Sequence, residues 1–468
     1  MIVERYDFVV IGSGPAGEKA AAQAAYFGKS VALVERAARL GGAPVNSGGI
    51  PAKTLRETAL YLTGHTRRHL YGVGMELGSD VMLDRLRKRS AEESERAGTT
   101  VRANMERHGV TVVHGAGRLG PDRTVVVTLT DGGAVTLQAD AILVATGSHP
   151  FRPPNIPFDD PDVEDSDSIL ALDRIPESMI VIGGGPVGCE YSSIYGALGV
   201  DVTLVDMADR LMPFLDSDAS EQLAVCLEDL GIRVLVGSPP ATVARVDGRL
   251  TVTVGDMALA PGKVLFVAGR KGNTDGLGLE EAGVDLDERG RVIVDGEYRT
   301  TAPGIYAAGD VIGPPALASV SAEQGRVAAC HAFDIPFKEG VDELAPYGIY
   351  SIPEVGVVGM STEQAAAAGI DAEIGRYDFS ENPRSRIAGT TYGMIKLVFR
   401  RDDRKLLGVH IVGEEAAELV HIGQAVIHAG QTIDQFIDST FNIPTRSEAY
   451  KYAAYDGLQR LSGHRPGD

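Results

Sequence analysis

Phe8-Val9-Val10-Ile11-Gly12-Ser13-Gly14-Pro15-Ala16-Gly17 is an apolar run that breaks into three glycines spaced two and then three residues apart. The run reads as a buried strand, and the glycines as a tight turn ahead of a helix. After a helical stretch, Val31-Ala32-Leu33-Val34 ends in Glu35. The same pattern returns as Ile180-Val181-Ile182, then Gly183-Gly184-Gly185-Pro186-Val187-Gly188, a helical stretch, and Val202-Thr203-Leu204-Val205 ending in Asp206. In both copies 23 residues separate the first glycine from the acid (12 to 35, 183 to 206). In such a unit the first glycine permits the turn, the second lets backbone approach a pyrophosphate, and the third allows close helix–strand packing. The N–H groups at the helix start hold the phosphates, and the acid accepts hydrogen bonds from ribose hydroxyls. A lone glycine turn would carry little weight, because such turns also occur without a ligand. Two copies in full context predict two dinucleotide sites on an α/β fold.

The remaining composition narrows the alternatives. At roughly 150 residues per domain, 468 residues suggest about three domains. A formal charge of −20 repels phosphate backbones and anionic headgroups, which argues against nucleic acid and membrane surfaces as partners. Any anionic ligand must then be held locally. Cys189, Cys226 and Cys330 are far apart and odd in number, giving neither a disulfide framework nor a metal pattern, and they fit a reducing, cytoplasmic setting. The ten histidines show no ligand spacing, so no metal is expected. His421 and His428 read as buried, hydrogen-bonded interface histidines, with a catalytic part as the alternative. No basic and apolar leader precedes Tyr6, and no stretch reaches the length of a spanning helix.

Between the two units lie a helix-prone segment, 80–108, and a β-rich stretch, 110–130, followed by a hairpin turn at Asp131-Gly132-Gly133. Five prolines between 150 and 161 make a stiff crossover, which places a domain boundary near 150. A helix over 319–333 and a linker near 336–346 precede a last part that mixes strands, such as 394–399, with amphipathic helices.

Thr301-Ala302-Pro303-Gly304-Ile305-Tyr306-Ala307-Ala308-Gly309-Asp310 resembles the flavin-ribityl motif of the flavoprotein disulfide reductase family. Ala145-Thr146-Gly147 and Val267-Ala268-Gly269-Arg270 resemble that family's two strand ends that return to the nucleotide sites, and Ile50-Pro51-Ala52-Lys53 resembles its IPSK segment. The resemblance spans essentially the whole chain. It implies two Rossmann-like domains, for FAD and for NAD(H) or NADP(H), plus a C-terminal α+β dimerisation domain in a homodimer. The implied layout is 1–149 and 272–345 for FAD, 150–271 for the nicotinamide nucleotide and 346–468 for dimerisation. Implied cofactor contacts in the first fingerprint are Gly12, Gly14, Pro15, Ala16, Gly17 and Glu35, with Gly42 and Lys53 following. Thr146, Gly147, Gly309, Asp310, Leu317 and Ala318 join them. In the second fingerprint they are Gly183, Gly185, Gly188, Glu190 and Asp206, with Gly269 and Arg270 at the returning strand end. Lys53 and Glu190 are the implied catalytic pair, the lysine lying near the flavin N5. Each also has an ordinary reading: Lys53 as a solvated helix lysine, Glu190 as a helix-start acid, Asp310 as a cap, and Glu35 as a strand-end acid.

The chemistry that defines the family is missing. Pro44 and Gly49 occupy the positions of its Cys-x-x-x-x-Cys pair, and neither can act as a thiolate. Ile443, in Phe441-Asn442-Ile443-Pro444-Thr445, stands where the family carries a proton-handling histidine, five residues before Glu448. Reduction of disulfide substrates is therefore not expected. Gly309-Asp310-Val311-Ile312-Gly313, Gln324-Gly325-Arg326, His421-Ile422-Gly423-Gln424-Ala425 and Ser447-Glu448-Ala449-Tyr450 resemble the branch of the family that passes hydride between NADPH and NAD⁺ through FAD without a disulfide. Two alternatives stand beside it: a quinone or diaphorase-type reductase, and a non-catalytic FAD-binding redox sensor. Asp206 favours a free 2′-hydroxyl, so NADP(H) needs a nearby cation, for which Arg210 is the candidate unless it is an exposed helix arginine.

Overall fold

The computed structural model describes residues 3–64, 70 and 78–463, and the chain divides into two compact units. The first comprises Met1–Thr54, Arg87–Phe151 and Gly269–Glu343. Its parallel strands are Val3–Ile11, Val31–Glu35, the start of Thr111–Gly120, the end of Ala134–Val144, and Ile305–Ala307. The remainder of Thr111–Gly120 pairs antiparallel with Thr124–Leu129, which pairs antiparallel with the start of Ala134–Val144. The hairpin turn falls at 131–133, closed by Leu129 N–H on the Gly133 carbonyl.

Strand periodicity sorts the layers. Phe8 and Val10 pack against Ala16, Ala20 and Ala24 of the helix Pro15–Tyr26, while Val9 and Ile11 pack against Leu119, Val125 and Val127 of the antiparallel strands. The sheet is therefore covered by helices on one face and by a β-meander on the other. The helix-prone segment forms Ser79–Arg107, and the helix after Asp310 forms Ala318–Ala332.

The second unit comprises Leu55–Leu86, Arg152–Ala268 and Leu344–Asp468. Its parallel sheet runs in the order Arg233–Leu235, Asp201–Val205, Ser178–Ile182, Lys263–Phe266 and Val163–Glu164. A separate three-stranded meander over 242–259 covers one face through Val243, Leu250, Val252 and Val254. The C-terminal part is a five-stranded antiparallel sheet in the order Tyr347–Ile349, Val355–Gly359, Leu406–Val412, Met394–Arg400 and Ala372–Asp378. Helices Ala416–His428 and Ala449–Ser462 pack on Ile395, Leu397, Phe399, Val409 and Ile411.

Two features differ from the sequence-based segments. The strand Arg270–Gly272 pairs with Ser148–Pro150 in the first unit, although the sequence grouped 270–271 with the second nucleotide domain. The helix Ile50–Thr63 passes from the first unit to the second at Leu55, because buried Arg56 donates to the Ser351 carbonyl and pairs with Glu354. His421 and His428 are exposed rather than buried in the single chain, since Leu419, Val420 and Gly423 form the inward face of their helix.

Candidate functional site: two glycine turns and a missing dithiol

Strand register explains the shared 23-residue interval. Ile11 lies opposite Val34 and Ile182 opposite Val205, so each first glycine emerges beside its acid. Gly12 N–H donates to the Val34 carbonyl and Gly183 N–H to the Val205 carbonyl, both at 2.8 Å. Gly12 has φ +106° and Gly183 φ +121°, and a Cβ on Gly12 would lie 2.3 Å from the Ala145 carbonyl oxygen. At the third glycines a Cβ would come within 1.8 Å (Gly17) and 1.7 Å (Gly188) of the first glycine's carbonyl oxygen. By contrast a Cβ on Gly185 meets nothing within 4 Å, and one on Gly14 meets only Gly42 Cα at 3.9 Å. The middle glycines thus keep space open in front of the turn, where a pyrophosphate needs close backbone.

Helices Pro15–Tyr26 and Pro186–Ala197 begin with proline directly after Gly14 and Gly185, and neither start has a side-chain cap. Their first N–H groups and positive dipole ends are left for an anion. This is the local attraction that a chain of charge −20 requires. The residues present fit two dinucleotide phosphates.

Each acid also holds its own turn. Glu35 is buried and accepts from Ser13 N–H (2.9 Å), Ser13 Oγ (2.6 Å) and Ala37 N–H (2.7 Å). Asp206 accepts from Gly184 N–H and from Ala208 N–H (2.7 Å). A carboxylate has about four lone-pair sites, so capacity remains for a ribose hydroxyl.

Around the first turn, Gly42 closes over Gly14: a Cβ on Gly42 would lie 2.7 Å from Gly14 Cα. A second uncapped helix, Ala318–Ala332, starts after Leu317, and Gly325 packs on Ala16 so tightly that a Cβ there would lie 2.1 Å from the Ala16 carbonyl oxygen. Gly309, at φ +82°, donates its N–H to buried Gln324 Oε1 (2.8 Å). Asp310 accepts from Ser148 Oγ (2.7 Å), which in turn accepts from Arg270 Nε (2.8 Å). Thr146 and Gly147 are clasped by Asn273: Thr146 Oγ1 donates to the Asn273 carbonyl and Asn273 Nδ2 to the Thr146 carbonyl, both at 2.7 Å. Asn273 N–H donates to the Gly147 carbonyl at 2.9 Å. Arg270 and Gly269 therefore sit with Ser148 and Phe151 in the first unit.

Around the second turn, Glu190 is buried and accepts from Tyr350 N–H (3.0 Å), while Ser193 Oγ accepts from Ile352 N–H (3.0 Å). Segment 350–352 thus ties the fingerprint helix to Arg56, through Ser351. Lys53 is half-buried on the first turn of the helix that carries Arg56. Arg210 donates to the Pro213 (3.0 Å) and Leu215 (3.3 Å) carbonyls and pairs with Glu363 at 3.4 Å.

The dithiol positions still face each other. A Cβ on Gly49 would lie 2.7 Å from the Pro44 carbonyl oxygen and 2.8 Å from Pro44 Cα. All three cysteines are buried free thiols. Burial, with Glu190 and Asp206 adding to it, pushes the Cys189 thiol far up, and burial raises Cys226 and Cys330 as well. None is a thiolate nucleophile at neutral pH. Ile443 is exposed in the single chain.

Ser13, Gln324, Asn273, Ser148 and Glu363 were not singled out from sequence. Each acts through a partner distant in the chain or through an ordinary polar residue type, and only Ser13 and Gln324 lay within quoted motifs.

Two glycine turns, an acid at each, and a strand return beside each define a two-dinucleotide oxidoreductase of the flavin and nicotinamide class. Residues 6–325 match the pyridine nucleotide-disulphide oxidoreductase family and residues 345–454 its dimerisation domain. The chain belongs to that family. It is 44% identical over 466 residues to the soluble pyridine nucleotide transhydrogenase of Mycobacterium tuberculosis, covering 98% of each chain. It is 39% identical to the protein of that name from Pseudomonas entomophila, covering 98% of this chain and all of the other. Among solved structures, LpdA from Mycobacterium tuberculosis superposes with a TM-score of 0.87 at 28% identity, covering 97% of this chain and 99% of that one. The HOCl-induced flavoprotein disulfide reductase RclA from Escherichia coli gives 0.85 at 27% identity, covering 95% and 98%. Among the described residues no helix is long and apolar enough to cross a membrane.

Proposed function

We propose that this chain is a cytoplasmic, homodimeric transhydrogenase that moves hydride from NADPH to NAD⁺ through FAD, with no disulfide. The observation that carries the reading is the pairing of two complete nucleotide turns with Pro44 and Gly49 where a dithiol would stand. FAD is assigned to the first part of the chain up to Phe151 and to 269–345, the nicotinamide nucleotide to 152–268, and dimerisation to 346–468.

When bound, FAD supplies a carrier that takes a hydride from one nicotinamide and yields it to another. The protein's share is binding, orientation and charge. The Gly12–Gly17 turn, Glu35 and the starts of helices Pro15–Tyr26 and Ala318–Ala332 hold the resident dinucleotide. Gly183, Gly185, Gly188 and Asp206 take the exchanging one. Both nicotinamides use this one turn, so NADPH must leave before NAD⁺ enters, which gives ping-pong kinetics. Lys53 and Glu190 are assigned the catalytic roles, the lysine as the cation that stabilises negative charge on the reduced ring. No side chain on the path needs to carry a proton, which fits Ile443 at a former proton-handling position.

The test is anaerobic. Protein mixed with NADPH should lose its yellow colour, and added NAD⁺ should restore it with formation of NADH. Recovery only with a quinone would replace transhydrogenation by acceptor reduction.

A further inference from the structure

The second turn poses a problem for the proposed reaction, on which this inference rests: Asp206 suits NAD(H), yet NADP(H) must bind the same place. The loop after Asp206 is pressed against the turn. Leu211 Cδ2 and Asp206 Cβ would lie 2.9 Å and 3.0 Å from a Cβ on Gly184, and Met212 N–H donates to the Gly184 carbonyl at 3.1 Å. Met212 is fully buried and held at φ +44°, a left-handed conformation that a non-glycine residue adopts at a cost. Arg210 is therefore next to a residue that touches the acid's own glycine.

The loop is fastened to the C-terminal part by a reciprocal cap. Asp216, ahead of helix Ser217–Asp229, accepts from Thr362 N–H (2.9 Å) and Thr362 Oγ1 (2.8 Å). Glu363 accepts from Ser217 N–H (2.9 Å) and from Arg210. The Asp216 carboxylate is fully buried and braced by Lys396 Nζ at 2.8 Å. The Arg210–Glu363 half is different: its contact is 3.4 Å long, its side chains are 34% and 41% exposed, and the other bonds of Arg210 go to the Pro213 and Leu215 carbonyls of its own loop. Exposed pairs of that kind contribute little. A 2′-phosphate dianion, which guanidinium can grip with two charge-assisted bonds, is a stronger partner.

We propose that Glu363 is a specificity-determining residue: it parks Arg210 while NAD(H) occupies the turn and yields it to the 2′-phosphate of NADP(H). The buried Asp216–Thr362 contact keeps the loop in place during the exchange, so one site can read both nucleotides.

The test titrates the full-length, FAD-loaded protein with adenosine 2′,5′-bisphosphate and with AMP, probes that differ in the 2′-phosphate. Arg210→Gln should raise the ratio of their dissociation constants at least about tenfold against the bisphosphate. Glu363→Gln should lower it about threefold, and the double variant should match Arg210→Gln alone. A Glu363→Gln effect that persists without Arg210, or equal weakening of both probes in Arg210→Gln, would overturn the proposal. Wild-type flavin that NADPH cannot bleach would sink the transfer reading instead, and the titration does not depend on bleaching.

Discussion

The two glycine turns share their backbone logic and differ in what surrounds them. Both pack the third glycine so closely that a Cβ there would lie within 2 Å of the first glycine's carbonyl oxygen, and both use the terminal acid to hold the turn's second N–H. The first, however, is enclosed. Gly42 approaches Gly14, Ser13 Oγ accepts from Gly41 N–H at 3.0 Å, and the middle of a second helix lies against Ala16 through Gly325. The second turn leaves Asp206 half-buried and opens Gly185 to free space, with a loop as its neighbour. A fingerprint confers binding; its surroundings decide whether the ligand stays as cofactor or leaves as substrate.

The sharpest way to break that contrast is to block each turn at its open glycine, where folding should survive. Gly14→Val should yield a folded protein with flavin content reduced at least about tenfold. Gly185→Val should stay yellow but resist bleaching by either nucleotide. Swapped outcomes would reverse the assignment of resident and exchanging ligands. Next in size, Asp206→Asn should weaken NADH binding about tenfold and narrow its advantage over NADPH, read by flavin titration. An unchanged gap would remove Asp206 from nucleotide choice.

Two further effects concern the supports. Burial alone would raise the Asp216 carboxyl, but hydrogen bonds from Lys396 and Thr362 outweigh it and pull the group down to about 2. A depressed folded value means the contribution is present at neutral pH and is lost as pH falls from about 4 through about 2; it amounts to roughly 2 kcal/mol. Urea unfolding between pH 5 and pH 2 should show that loss in the wild type and a shallower dependence in Asp216→Asn. Gln324→Ala leaves the Gly309 N–H buried without its acceptor and should cost about 1–3 kcal/mol, seen as a lower urea midpoint and looser flavin. Smallest of all, thiol alkylation of the native protein should leave hydride transfer within about twofold, since each thiol is buried with its proton held. Inactivation would reinstate a cysteine in the reaction.

The turns and their acids were legible because they depend on local glycine spacing and on short apolar runs, whereas the order of strands in each sheet was not. Lys396 shows where that reading ends: it interrupts an apolar strand run, and only the Asp216 and Asp218 carboxylates on the opposite face from the helices explain it. Asn273 clasps Thr146 across more than a hundred residues, and no local pattern marks it. Arg56 likewise shows no sign in sequence that half of its helix is tied to the C-terminal part. What escaped were polar contacts made by topology rather than by spacing.

The closeness of Gly49 to Pro44 also bears on redesign. A cysteine at 49 would drive its Cβ into the backbone at 44, and one at 44 alone gives a thiol with no partner at 49. The contacts are with the carbonyl oxygen, Cα and carbonyl carbon of residue 44, atoms that every amino acid carries. Exchanging both side chains therefore leaves the obstruction in place: a dithiol graft here is a problem of backbone design, in which the loop must be reshaped before any sulfur is added.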